Sequence, residues 1–353
     1  MFARRLKQLR EMRGLSMKAL GETVGVSANM VKKYEHGQSM PTGQTLARLA
    51  NALDVTLEQL FRPFVYTFEG AQFRKRANLP VRTLRRIQGE LADQIERWMM
   101  LRAWWPGDFP VAPFAGIDGL PERISTLEEV ERVTDTVRRA WALGTNPIPD
   151  LTDTLEMQGI LVVQTRVNAE GRFDGLQAWA DDYPVIAVSA LWPGDRQRFT
   201  LAHELGHLLL DTRLDGVDAE QAANRFAGAL LLPRDELVRH LGERRAHIEP
   251  RELYLLKREF GLSMAAVAYR AKDAGIIDQT IFTRLMRLFR ANGWHRQEPG
   301  VPCPPEQPRL FEQLVFRLLA DGGISPSKAA ELLGIDTHQL EQLRQLGAGC
   351  GDG

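Results

Sequence analysis

The sequence has 353 residues, of which 44% are hydrophobic and 25% are charged, which excludes a collagen-like, coiled-coil or wholly disordered chain. This length predicts two or three domains. The only cysteines are Cys303 and Cys350, which excludes a disulfide framework and a cysteine-rich zinc fold. The N-terminal segment lacks the apolar core of a signal peptide, and no apolar run reaches about 18 residues. We therefore expect a cytoplasmic protein with no membrane contact.

The net charge is zero at pH 7, but the charges are unevenly distributed along the chain. Residues 1–106 contain 18 Lys and Arg against 9 Asp and Glu, whereas residues 150–235 contain 7 Arg against 14 Asp and Glu. A basic N-terminal part followed by an acidic middle part indicates two functions on one chain.

The first part of the chain predicts four short helices. Apolar residues recur at helical spacing in the first of them, and serines stand where caps are required, Ser16 before the second helix and Ser27 before the third. The turn between these two helices contains Gly25, and two short helices joined by such a turn predict a helix-turn-helix. The four helices are predicted over residues 2–13, 17–24, 28–35 and 42–53.

The run LREMRGLSMKALGETVGVSANMVKKYEHGQSMPTGQTLARLANAL resembles the lambda-repressor-like (XRE) DNA-binding domain, and the resemblance covers about residues 1–62. It implies that the third helix enters the major groove of double-stranded operator DNA and that the domain binds spaced half-sites as a homodimer. Asn can pair with adenine, and Lys neutralises phosphate. The implied DNA-contacting residues are Ser27, Ala28 and Asn29 at the base edges, with Lys32 and Lys33 close by.

A second interpretation of this domain is a helical packing or protein-interaction module with a solvated basic face. Residues 1–60 carry 9 basic against 5 acidic residues, a modest excess for a DNA-binding surface.

After this domain, residues 63–121 are predicted to form a connector. Its core is an amphipathic packing helix over residues 87–105, and the connector ends in a loop-like stretch rich in Pro and Gly.

The segment RQRFTLAHELGHLLLD, residues 196–211, predicts a buried helix that carries a metal-binding pattern. His203 and His207 are four residues apart, so both imidazoles lie on one helical face and can reach one ion. Glu204 stands one residue further round, where a general base for a metal-activated water is required. Asp195 is expected to cap this helix. The alternative interpretation is a pair of core histidines whose hydrogen bonds are satisfied.

A catalytic zinc ion usually has three protein ligands, so a third ligand is needed. A second helical stripe runs over residues 217–233, and Glu220 at its start is the predicted third ligand. Asp211 follows His207 by one turn and is also placed to orient its imidazole. Two His and one carboxylate suit one zinc ion per chain, with manganese as the alternative metal. Three further acids compete with Glu220 on charge alone: Asp211, Asp215 and Asp218.

Val- and Ile-rich segments ahead of the metal-binding helix predict a small sheet. This order fits a zincin layout, in which an exposed edge strand pairs with an extended substrate backbone. The expected edge is the strand nearest the motif, residues 185–190. Tyr183 and Arg196 are considered as groups that stabilise the oxyanion, without a choice between them. The three strands are predicted over residues 159–167, 176–180 and 185–191.

The segments RFTLAHELGHLLL and EQAANRFAGALLLP, in this order and close together, resemble the ImmA/IrrE family of zinc metallopeptidases. The resemblance implies that His203, His207 and Glu220 bind zinc and that Glu204 is the general base. One departure is Ala222, which stands where the family usually has Glu directly before the Ala-Asn pair.

The C-terminal third predicts further helix–Gly–helix units, the first resembling the helical region that follows the ImmA/IrrE core. We therefore expect a multidomain, mainly α-helical protein with an all-α helix-turn-helix bundle, an α+β zincin-like metallopeptidase domain with a small sheet, and a C-terminal helical region. The predicted domains are 1–62 (helix-turn-helix), 63–121 (connector), 122–235 (metallopeptidase), 236–298 (helical extension), 299–309 (proline-rich linker) and 310–346 (small helical unit).

These observations predict a DNA-binding transcription regulator fused to a zinc-dependent endopeptidase. The resemblance implies that the substrate is a repressor or another regulatory protein in a stress or mobile-element response. The alternative is a regulator or antitoxin-like protein whose metal-binding domain senses a ligand or binds a partner without proteolysis. The complete His-Glu-His-Glu set favours the first hypothesis.

Overall fold

A computed structural model of the chain describes residues 1–62 and 79–345. Residues 63–78 of the predicted connector, Cys350 and the last position of the predicted 310–346 unit lie outside the described residues. The chain divides into two compact units. Unit 1 comprises the described parts of residues 1–110 and 309–353 together with residues 165–173, and unit 2 comprises residues 111–164 and 174–308.

Unit 1 begins with five short helices, and four of them match the sequence prediction closely. The side chains of Ser16 and Ser27 accept hydrogen bonds from the backbone N–H groups of Ala19 and Met30, so both cap the helices that follow them. Gly25 has φ +75° and ends the second helix in the left-handed conformation. The helices are α1 (Phe2–Met12), α2 (Met17–Val24), α3 (Ala28–Glu35), α4 (Gly43–Leu53) and α5 (Leu57–Phe61).

The helix-turn-helix bundle has a small apolar core and one buried ion pair. Leu6, Leu20 and Val31 have no exposed surface. Arg10 on α1 donates from Nε and Nη2 to the two carboxylate oxygens of Glu35 at the end of α3, at 2.5 and 2.9 Å. The hydrogen bonds and charge of Glu35 raise the pKa of the Arg10 guanidinium despite its burial. The pair ties α3 to the bundle at the end opposite its cap.

The rest of unit 1 is also helical. Inside the unit, Arg5 of α1 donates to Glu96 at 2.6 Å, and Arg62 pairs with both Asp93 and Glu96. Burial raises the pKa of Glu96 even though both arginines oppose this effect. This ionic cluster holds the helix-turn-helix bundle against the long helix that carries the two acids. The remaining helices are α6 (Val81–Trp104), α15 (Leu310–Ala320), α16 (Pro326–Leu333) and α17 (Thr337–Arg344).

Unit 2 combines eight described helices with a three-stranded sheet, which confirms the predicted α+β character within a mainly helical chain. Its strands are β1 (Leu161–Thr165, the last residue of which is grouped with unit 1), β2 (Gly175–Ala180) and β3 (Tyr183–Ser189). Its helices are α7 (Leu127–Ala140), α8 (Leu151–Met157), α9 (Gly194–Leu210), α10 (Ala219–Leu231), α11 (Arg234–Leu241), α12 (Pro250–Phe260), α13 (Met264–Asp273) and α14 (Gln279–Ala291).

The strand order corrects the expectation that residues 185–190 form the edge of the sheet. The order is β1-β3-β2, so β3 lies in the centre, and all seven of its residues are buried. β2 pairs with β3 in antiparallel register, from Gly175 opposite Val188 to Ala180 opposite Tyr183. The nearly continuous apolar character of β3 is typical of a central strand, whereas four of the six residues of β2 are partly or fully exposed and β2 forms an edge.

The start of α9 also differs from the prediction. Asp195 is the second residue of the helix and does not cap it, because the helix begins at Gly194 with Pro193 at the N-cap position. The Asp195 carboxylate instead accepts a hydrogen bond from Lys257 of α12 at 2.8 Å. Glu298, in the segment after α14, accepts a second bond from the same ammonium group at 2.7 Å. Lys257 of α12 therefore links α9 to the segment after α14.

A buried ionic clamp holds α10 between α7 and α13. Glu131 of α7 accepts hydrogen bonds from Arg225 of α10, at 2.6 Å, and from Arg270 of α13, at 2.5 and 2.6 Å. Burial opposes ionisation of Glu131, but the hydrogen bonds and charges of the two arginines outweigh it and lower the pKa of this carboxyl.

In the part of the chain that the structure describes, no helix combines the length and apolarity needed to cross a bilayer.

Candidate metal centre

Helix α9 lies against the sheet and carries the histidine pair on the face that meets α10. Gly206 makes this packing close: a Cβ at this position would lie 3.2 Å from the Cα of Ala223 and 3.2 Å from a ring carbon of Phe226. The absence of a side chain therefore lets the two helices approach each other. As a result the first turn of α10, which includes Glu220, reaches the imidazoles of α9.

Three side chains converge at this contact. The Nε2 atoms of His203 and His207 are 3.0 Å apart. The carboxylate of Glu220 lies 3.3 Å from His203 Nε2 and 3.5 Å from His207 Nε2. The three residues form a group of potential metal ligands, in which the His207 side chain is fully buried and the Glu220 side chain is 58% exposed. The group is therefore open to solvent on the Glu220 side.

The outer nitrogen of each imidazole faces an oxygen that can only accept a hydrogen bond. Asp211 Oδ1 lies 2.8 Å from His207 Nδ1, and Asn224 Oδ1 lies 3.1 Å from His203 Nδ1. In the neutral imidazoles the Nδ1 atoms are thus the donors, and both Nε2 atoms carry lone pairs. Two lone pairs directed at each other across 3.0 Å repel, and a shared cation removes this repulsion.

The spacing of the donor atoms fits a small tetrahedral ion. Two donors about 2.1 Å from a tetrahedral zinc ion lie about 3.4 Å from each other. The three separations among His203, His207 and Glu220 are 3.0, 3.3 and 3.5 Å. Two imidazoles and one carboxylate leave a fourth position for a solvent molecule, which is the donor set of catalytic rather than structural zinc sites.

Glu204 follows His203 directly on α9. It is 4% exposed and has further contacts within the protein. The first residue of the edge strand β2 approaches it, since a Cβ at Gly175 would lie 3.5 Å from Glu204 Cγ and 2.5 Å from Thr200 Cγ2. The start of β2 therefore lies beside the general-base candidate because position 175 has no side chain.

The remaining candidates of the sequence lie elsewhere. Asp215 pairs with Arg123 at 3.3 Å, and Asp218 caps α10 by accepting the N–H of Gln221 at 2.8 Å, so neither faces the imidazoles. The hydroxyl of Tyr183 donates to the carbonyl of Val111 at 2.6 Å in the interior. Arg196 pairs with Asp174 and lies over the Trp192 ring. These contacts direct neither Tyr183 nor Arg196 toward the histidine pair.

The residues proposed to contact DNA share one surface of α3. Ser27, Ala28 and Asn29 are exposed at its start, and Lys32 and Lys33 are exposed one turn later. Val31 and Tyr34 are buried on the other side of the helix, which orients it. The hydroxyl of Ser27 caps the helix, accepting the N–H of Met30 at 3.2 Å.

Comparison with known proteins assigns both regions. The family model of the IrrE N-terminal-like domain of peptidase family M78 matches residues 155–272, and a helix-turn-helix family model matches residues 6–60. The chain joins an XRE-type helix-turn-helix domain to an ImmA/IrrE-type domain. The M78 match includes the histidine pair, Glu204 and Glu220, together with α13 of the predicted helical extension.

Individual relatives resemble either a small part of the chain or the whole of it only weakly. Over 58 residues it is 41% identical to the HTH-type transcriptional regulator SutR of Escherichia coli (strain K12), a match that covers 16% of this chain and 33% of that protein. The chain therefore spans about a third of the length of this curated relative. The crystal structure of Bacillus thuringiensis PlcR in complex with the peptide PapR7 and DNA is 11% identical, covering 98% of this chain and 91% of that one. Its TM-score of 0.17 carries no structural argument.

Asn224 is the residue of this site that the sequence argument missed. It lies one helical turn after Glu220, so both side chains are on the same face of α10. The spacing Glu220-x-x-x-Asn224 within the segment EQAANRF was therefore available as a signal. An asparagine on a helix surface is usually an ordinary solvated side chain, and only the packing of α10 on α9 distinguishes this one.

Proposed function

We propose that this protein is a DNA-binding regulator whose ImmA/IrrE-type domain is a zinc-dependent endopeptidase that cleaves a repressor or another regulatory protein. The observation that carries the proposal is the convergence of the Glu220 carboxylate with two imidazole lone pairs from a helix that also carries the buried Glu204. His203, His207 and Glu220 would hold the ion. Bound zinc supplies Lewis-acid chemistry, polarising a carbonyl and making a water molecule more acidic at neutral pH.

The protein's own side chains supply the proton transfer and the orientation. Glu204 follows His203 on α9 and is largely buried, and in the proposed reaction its carboxylate takes a proton from the attacking water and delivers it to the leaving amine. Asp211 and Asn224 hold the two imidazoles in the tautomer that directs Nε2 inward. Both oxygens act by hydrogen bonding to the rings and have no part in bond cleavage.

The edge strand β2 supports a polypeptide as the substrate. One side of β2 is paired with β3, and its other side faces away from the sheet, so an extended peptide can add to it as a further strand. Gly175 places the start of β2 against Glu204, so a peptide paired with β2 would run past the ligand group. Trp179 of β2 is 49% exposed and offers an apolar surface to the substrate.

The decisive experiment compares Glu204→Gln with Glu243→Gln, an exposed carboxylate in the same unit. Purified wild-type protein should contain about one zinc ion per chain, and His203→Ala should lose it. Glu204→Gln should retain zinc but no longer cleave a co-expressed repressor encoded beside the gene, whereas Glu243→Gln should cleave normally. If Glu204→Gln cleaves like the wild type, the peptidase proposal fails. If it abolishes cleavage but leaves regulation intact, the protein acts as a sensor or binding partner.

Binding of double-stranded operator DNA is proposed for the surface of α3. Exposure of Asn29, Lys32 and Lys33 supports it, as does the likeness of residues 6–60 to helix-turn-helix domains. In a gel shift with DNA from upstream of the gene, Lys32→Ala should weaken binding to all sequences and reduce its salt dependence. Asn29→Ala should instead reduce discrimination between specific and unrelated DNA. If both variants bind like the wild type, another surface must contact DNA.

A further inference from the structure

Unit 2 contains a cavity of about 670 Å³ bounded by α9, α10, α12, α13 and the segment that follows α14. Its walls include four aromatic side chains, Trp192, Phe199, Tyr269 and Trp294, and small residues of α10 and α13 leave the space between them. This volume lies within the range of about 300–1,000 Å³ that is typical of sites for small organic ligands. The aromatic lining favours a ligand with a flat or acyl apolar part.

The cavity extends to the candidate metal centre without including its ligands. Phe199 lies one turn before His203 on α9, and Asn224 lies one turn after Glu220 on α10. Asn224 both lines the cavity and accepts the hydrogen bond from His203 Nδ1. A molecule that occupied the cavity would therefore touch the side chain that orients this imidazole.

The charges around the cavity select an anion. Its carboxylates already have partners: Lys257 bonds to both Asp195 and Glu298, and Asp273 lies 3.6 Å from Arg225. Glu298 also accepts the backbone N–H groups at the start of α13. Among the described residues, Arg296 at the exposed rim has no ion-pair partner. A carboxylate on the ligand could pair with it, whereas a cationic ligand would meet only carboxylates that already accept hydrogen bonds or lie in ion pairs.

We propose that this cavity binds a small anionic amphipathic molecule, an aromatic or acyl carboxylate, and that its occupancy changes the affinity of the neighbouring site for zinc through Asn224. The ligand places its apolar part among the aromatic side chains and its carboxylate at Arg296. The binding of the carboxylate is independent of the proposed peptidase function, and the coupling rests only on the metal-binding part of it.

Binding is tested on the metal-free, full-length protein with the fluorescent anion 8-anilinonaphthalene-1-sulfonate. One saturable site should appear, and decanoate should displace the probe at least about tenfold more effectively than decylamine. Ala266→Trp, which fills the cavity, should abolish probe binding, and its folding is checked by circular dichroism. Arg296→Glu should weaken decanoate binding about tenfold, whereas Arg244→Glu, an exposed arginine of the same unit outside the cavity, should not. Equal displacement by the two amphiphiles, or unchanged binding to both cavity variants, would overturn the proposal.

Coupling is tested by measuring zinc affinity with a competing chelator in the presence and absence of saturating decanoate, after correction for zinc bound by decanoate itself. Because linkage is reciprocal, zinc and decanoate must change each other's affinity by the same factor, which we expect to be about threefold or more. Asn224→Ala should reduce this factor to one. Decanoate binding that leaves zinc affinity unchanged, or coupling that survives in Asn224→Ala, would refute the role of Asn224. A loss of peptidase activity on Glu204→Gln affects none of these measurements.

Discussion

The hydrogen bond between Asp211 and His207 offers the sharpest test of the metal centre. In Asp211→Asn the side chain keeps its shape but loses the charge that stabilises the Nδ1 proton of a fully buried imidazole, 2.8 Å away. Removing such a partner typically lowers metal affinity about 10- to 100-fold. Because the Asp211 side chain is 36% exposed, solvent screens its charge, and we expect the lower end of that range, about tenfold.

This change has a direct consequence for stability. At a free zinc concentration about 100 times the wild-type Kd, zinc binding stabilises the wild type by about 2.7 kcal/mol and the variant by about 1.4 kcal/mol. The metal-free proteins should differ much less, since the bond is partly exposed. The measurements are zinc titration against a chromogenic chelator and urea unfolding with and without zinc.

Asp215→Asn is the matched control, since Asp215 lies in the same loop and pairs with Arg123 instead of an imidazole. It should retain wild-type zinc affinity. If Asp211→Asn also binds zinc with wild-type affinity, then Asp211 does not orient His207 toward an ion. A tenfold loss in both variants would point to a general effect of negative charge, which would equally refute the assignment.

Three further predictions concern packing and charge. Gly206→Val should destabilise unit 2 by about 2 kcal/mol in urea unfolding and weaken zinc binding, because the new side chain meets Phe226 of α10. Glu35→Ala should destabilise the helix-turn-helix bundle by about 3 kcal/mol, since it removes both short hydrogen bonds of the buried Arg10 to a carboxylate and leaves a 3.8 Å contact with Glu11; a loss below about 1 kcal/mol would contradict this. The pKa of Glu131 is lowered on folding, so its stabilisation is present above the ordinary pKa of 4.5 and disappears as the pH falls through the folded value. Glu131→Gln should therefore be less stable at pH 7 and show a flatter loss of stability in acid, and an unchanged acid profile would exclude the clamp.

Short-range features of this protein could be predicted from the sequence because they depend on spacing within one helix or on a single cap. The caps at Ser16 and Ser27 and the bounds of the first helices follow from local hydrogen bonding. The placement of His203 and His207 on one face of α9 follows from helical geometry alone. Glu220 was predicted from its position at the start of the next helix, and the resemblance implied the same residue, whereas charge alone could not distinguish it from three nearby aspartates.

Only the tertiary structure decided which side chains meet across elements. The apolar residues of β3 indicate a strand but not its place in the sheet, so the expected edge strand is the central one, and β2 forms the edge beside Glu204. Asn224 becomes the partner of His203 because Gly206 lets α10 approach α9. Strand order and helix packing depend on the summed burial of many distant residues, and no local pattern in the sequence encodes that sum.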